Sequence, residues 1–89
     1  MDYSELLKKM RLILDDIVPL DIKYFIDFKI EKESKVEFVL VIFDKDINLF
    51  TNKENTGILN QMLPVINSDI SKLNKKLVID VEVYENYGR

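Results

Sequence analysis

Asn52-Lys53-Glu54-Asn55 stands between a strand-length apolar run, Phe38 to Phe43, and a helical stripe that begins at Ile58. The hydrophobic period changes there, from two residues to about 3.6, so a sheet element hands over to a helix at this point. Asn is the residue after Gly that best tolerates a left-handed backbone, and it sits at both ends of the quartet. The middle pair, Lys53-Glu54, carries no net charge.

Upstream of this junction, Val36 to Phe43 reads as a strand. Its second face, Glu37, Val39, Val41 and Phe43, is also largely apolar, which predicts a central position in the sheet. Residues 21 to 32 alternate: Ile22, Tyr24, Ile26, Phe28 and Ile30 fall on one face, and Lys23, Phe25, Asp27, Lys29 and Glu31 on the other. That period predicts a strand with one wet face. The polar run from Glu31 to Lys35 predicts the hairpin turn between the two. Residues 4 to 18 carry Leu6, Leu7, Met10, Ile13, Leu14 and Ile17 at helical spacing, with Asp2 and Glu5 placed for a capping box and Pro19 to stop the helix. Asp44 to Phe50 reads as a turn or one short helical turn.

Downstream, Thr51-x-x-Glu54 has the pattern of a capping box, with Asn55 as a second candidate cap. The helix it opens runs to about Leu73, with Ile58, Leu59, Met62, Leu63, Ile66, Ile70 and Leu73 inward. Pro64 inside it predicts a kink or break. Asn74-Lys75-Lys76 places cations at the negative helix end. Leu77 to Tyr84 is a third strand, with Leu77, Ile79, Val81 and Val83 on one face, and residues 84 to 89 are expected to fray. The fold expected is α+β, a single domain over residues 1–89 in the order α-β-β-α-β. Its three-stranded sheet has two helices packed on one face. The first two strands pair antiparallel, and a helix between the second and third permits parallel pairing.

Composition narrows the chemistry. The chain has 89 residues, 47% of them hydrophobic and 33% charged, which marks a globular domain. It has no Cys and no His, which removes disulfides, thiolate and imidazole metal sites, and Cys or Ser–His nucleophiles. A net charge of −3 argues against strong non-specific phosphate binding. No apolar run reaches the roughly 20 residues of a membrane span, and the N-terminus lacks signal-peptide order, so a cytoplasmic location is expected. Asp44-x-Asp46-x-Asn48 matches the first half of a calcium loop, but Leu49 and Asn55 stand where Gly and Glu are required. It reads as a turn, and no metal is expected. No carboxylate pairs with a nucleophile or base at a useful spacing. No enzyme activity, cofactor or small-molecule substrate is expected. Phe25, Tyr84 and Tyr87, where they face solvent, are the candidates for stacking on the bases of a single strand, and the lysines fall in groups that, the Lys72-Lys75-Lys76 group apart, have acidic neighbours.

Four features together carry a family resemblance. They are the element order, Asp46-Ile47-x-Leu49 before the loop, Asn52 and Asn55 at the spacing of Gly-x-x-Gly, and Ile79-Asp80-Val81-Glu82-x-Tyr84 in the last strand. On these the chain resembles the small bacterial type II KH proteins and the KH part of the Jag family. The resemblance implies a KH-like fold and a non-enzymatic module that binds single-stranded RNA weakly. Backbone amides near Asn52 to Asn55 would meet the phosphates, Lys53 would supply nearby charge, and Ile58 and Leu59 would shape the groove. A second reading is a protein-interaction or homodimerisation module that has lost RNA binding and acts through an edge strand. A third is a phage or plasmid accessory protein that inhibits a host enzyme.

Overall fold

Helix α1, Ser4–Ile17, forms where the apolar stripe predicts it. Met10 and Leu14 are fully buried, and Leu6, Leu7, Ile13 and Ile17 pack around them. Val18 is extended, with ψ 129°, because the ring of Pro19 excludes helical geometry before it. The computed structural model describes residues 3–54, 56–70 and 74–84. The Asp2 half of the expected capping box, and residues 85–89 of the expected tail, lie outside these. Tyr3, at the cap position, makes no side-chain capping bond.

Strand β1, Tyr24–Glu31, pairs antiparallel with β2, Lys35–Phe43, and β2 pairs in parallel with β3, Lys76–Tyr84. The strand order β1-β2-β3 puts β2 at the centre, as its two apolar faces predict. Val36, Phe38, Leu40 and Ile42 of β2 all turn toward the helices and are buried there. Burying a side chain of this size contributes roughly 1.5–3 kcal/mol. The architecture is the expected α+β one, with one side of the sheet covered and the other bare.

The alternation of β1 breaks near its end. Phe28 lies opposite Phe38 but Ile30 lies opposite Glu37, so Lys29 is an extra residue, a β-bulge. One extra residue exchanges the faces of all that follow. Ile30, expected on the helix side, is instead 43% exposed on the bare side. Glu31, expected on the wet face, lies opposite Val36 on the helix side. There it accepts a hydrogen bond from the Tyr3 hydroxyl, at 2.8 Å, and pairs with Lys75. The buried Tyr3 ring stacks on Phe28, with centroids 5.7 Å apart.

After β2 a 3-10 turn, Asp44–Asp46, leads into the one-turn helix α2, Ile47–Phe50, which buries Phe50 completely. Helix α3, Ile58–Ile70, follows. The expected capping box is therefore corrected: Thr51 closes α2 and Glu54 lies in a turn, both upstream of α3. Pro64 does not break α3, which runs continuously through it. Both Pro64 and Asn60, whose carbonyl loses its helical partner to the proline, lie on the exposed side of the helix. Ile58, Leu59, Met62 and Ile66 face the core as expected. Leu73 lies outside the described residues, and Asn74 beyond it adopts a left-handed conformation, φ 58°.

Candidate interaction surface

Two regions compete for a functional role. The first is the loop from Thr51 to Gly57. Asn52 organises it: its carboxamide donates to the Asn48 carbonyl and Thr56 Oγ1, both at 3.1 Å. Its Oδ1 accepts the Thr56 backbone N–H, also at 3.1 Å. One amide that a phosphate would meet is thus already satisfied from within. Lys53 stands exposed beside the exposed Glu54. Asn55 lies outside the described residues. Ile58 and Leu59 are only 4% and 6% exposed and belong to the hydrophobic core.

Gly57 closes the loop by close approach, which the sequence reading did not single out. A Cβ there would lie 2.4 Å from the Phe50 carbonyl oxygen and 2.8 Å from the Thr51 nitrogen. The two segments can touch only because position 57 has no side chain. In the sequence, only the lone glycine ahead of a helical stripe hints at this.

The second region is the bare face of the sheet. Strand register places Phe25, Val41 and Glu82 in one row across it, and Asp27, Val39 and Asp80 in the next. Phe43 and Tyr84 form a third row at the sheet end, their rings edge-to-face with centroids 5.3 Å apart. Phe25 is 53% exposed and Tyr84 56%. With Val41 and Phe43 between them they line an open groove of about 380 Å³, with Lys23 at its rim. Parity along the strands had already assigned Phe25 and Tyr84 to this side. Ile30 was missed, because the bulge that delivers it leaves no mark in composition.

Two charge pairs lie on this face, one reaching from β1 to β3 and one along β2. Lys29 Nζ meets Asp80 Oδ2 at 2.6 Å, and Lys35 Nζ meets Glu37 Oε1 at 2.9 Å. The hydrogen bond from Lys29 holds the Asp80 carboxyl below its ordinary range, and the one from Lys35 does the same for Glu37. Asp80 in turn raises Lys29. A phosphate would have to displace these carboxylates to reach the lysines. On the helix side the Tyr24 hydroxyl donates to Asp15 at 2.5 Å, and burial followed by that carboxylate pushes its pKa up to about 12. Asp46 of the calcium-like run is buried and pairs with Lys45 at 3.0 Å. Among the described residues no cluster of three or more acidic side chains converges as metal ligands would. Among the described residues no helix is long and apolar enough to cross a membrane.

No protein family, curated protein or solved structure matches the chain.

Proposed function

We propose that this chain is a non-enzymatic binding module that engages a partner protein through the bare face of its sheet. The observation that carries this reading is the Phe25–Val41–Phe43–Tyr84 surface, where the Phe25 and Tyr84 rings are each more than half exposed and the partly buried Val41 and Phe43 lie between them around one groove. Exposed apolar surface rimmed by polar residues is a common mark of a protein contact, and Tyr and Phe supply contact area at low entropic cost. Further along the same face the charges of Lys29–Asp80 and Lys35–Glu37 are already paired.

The RNA reading keeps two supporting observations, the exposed Lys53 at the loop and the exposed Phe25 and Tyr84 rings on which bases could stack. It draws less from the geometry. Asn52 already holds the Thr56 amide, and Ile58 and Leu59 serve the core rather than a groove wall.

The test uses the purified chain as bait beside a Phe25→Asp/Tyr84→Asp form and a Lys53→Glu form, with and without nuclease. All three changes lie at exposed positions, so the fold is kept. Partners held by wild type and by Lys53→Glu, but lost by the double variant, support the reading. Partners retained by the double variant, or released by nuclease, overturn it.

A further inference from the structure

The sheet has two edges, and they are finished differently. On β1 two of the outer groups are engaged by side chains. Arg11 Nη2 donates to the Ile26 carbonyl at 3.2 Å, the Asp27 carboxylate accepts the Phe28 N–H at 2.8 Å, and the Lys29 bulge bends the strand end. These are the devices by which an edge is protected against pairing with another chain.

On β3 the direction of the backbone groups follows from one bond. The Lys76 N–H donates to the Ser34 carbonyl, at the β2 side. Successive residues of a strand point their N–H and C=O groups to opposite sides, so those of Leu77, Ile79, Val81 and Val83 point outward, away from β2. Asn67 Oδ1 takes the Leu77 N–H at 2.9 Å. Among the described residues nothing caps Ile79, Val81 or Val83 in the same way. These three are apolar, and Val83 is exposed.

Charge selects an occupant for this edge. A second copy pairing antiparallel about a two-fold axis, with Ile79 opposite the partner's Ile79, sets Lys76 opposite the partner's Glu82 and Glu82 opposite the partner's Lys76. Both residues are exposed and lie on the bare face. The same register sets Leu77 opposite the partner's Val81 on the helix side. Shifting the axis to Asp80 places two carboxylates face to face. Shifting it to Val81 sets Asp80 against the partner's Glu82. Shifting it to Val78 shortens the ladder and calls on Asp80, which Lys29 already holds. Opposite charges directly across a ladder stabilise it and like charges destabilise it, so the Ile79-centred register is the complementary one.

We propose that β3 is a homodimerisation edge, joining two copies into one continuous six-stranded sheet through Ile79-centred antiparallel pairing with reciprocal Lys76–Glu82 ion pairs. This does not depend on the partner protein proposed above. The edge groups lie in the plane of the sheet and the groove opens from its face, so each surface is free to work without the other.

Sedimentation equilibrium of the full chain, from low micromolar to near-millimolar concentration, tests it. Wild type is expected to show a reversible monomer–dimer equilibrium. Lys76→Glu and Glu82→Lys are each expected to weaken it by about tenfold, since two attractive cross-strand pairs become repulsive. Mixed in equal amounts, the two variants regain every pairing across one interface and are expected to associate together. Circular dichroism of each variant establishes that it remains folded. A wild-type chain that stays monomeric throughout overturns the proposal. So does a mixture that associates no better than either variant alone.

Discussion

At the scale of single residues, Gly57 and Glu31 define two different kinds of constraint. Gly57 is steric: the backbone of Phe50 and Thr51 occupies the space any side chain would need. Gly57→Ala is expected to lower the free energy of unfolding by about 2 kcal/mol, a typical cost for forcing atoms into packed space, read by urea denaturation. An unchanged midpoint would mean that the two segments separate without cost. Glu31 is electrostatic. Hydrogen bonds from Lys75 and Tyr3 lower its pKa, as Lys35 lowers that of Glu37 and Lys29 that of Asp80. A carboxyl whose pKa is lowered by folding adds stability above its unfolded value and loses it as pH falls through the folded one. Stability is therefore expected to decline below the ordinary carboxylate values of 4.5 and 3.8. In unfolding curves taken from about pH 6 to about pH 2, Glu31→Gln should show a shallower decline than wild type. An equal slope would remove Glu31 from this account.

At the scale of elements, what could be read from the sequence depended on whether a signal repeats. The stripes of α1 and α3, the two-faced apolar pattern of β2 and the parity of β3 each recur over several residues, and among the described residues the faces they assign agree with the structure, although Val83 on the helix side is exposed. Single events did not show. The Lys29 bulge leaves an apparently unbroken alternation from Ile22 to Ile30, because Ile30 is apolar on either face. The Thr51-x-x-Glu54 pattern resembles a capping box, yet α2 claims Thr51 and a tight turn separates it from α3. For the site, Phe25 and Tyr84 followed from strand parity, whereas the close approach at Gly57 depends on a tertiary contact. Pro64 is the remaining element-scale test. It sits exposed in the interior of α3, so replacing it removes little packing and restores a bond to the Asn60 carbonyl. Pro64→Ala is expected to stabilise the protein by roughly 1–3 kcal/mol, the lower end allowing for the greater freedom of the unfolded chain. A loss of stability in urea unfolding would show that the helix is built around the proline ring.

At the scale of the whole molecule, one side of the sheet is sealed by α1 and α3 and the other is left bare. The bare side holds aromatic side chains and neutralised ion pairs. A chain of net charge −3 in which Lys8, Lys29, Lys35, Lys45 and Lys75 each pair with a carboxylate has little to offer a polyanion. A face suited to protein thus stands beside a loop poorly suited to RNA. The most direct measurement is a titration of the purified protein into a labelled random single-stranded RNA pool at low and at moderate salt. Phosphate contacts are strongest in the low-salt arm. The account predicts no saturable binding in either arm. Micromolar binding that weakens as salt rises and disappears in Lys53→Glu would contradict it and return the function to the Asn52–Asn55 loop.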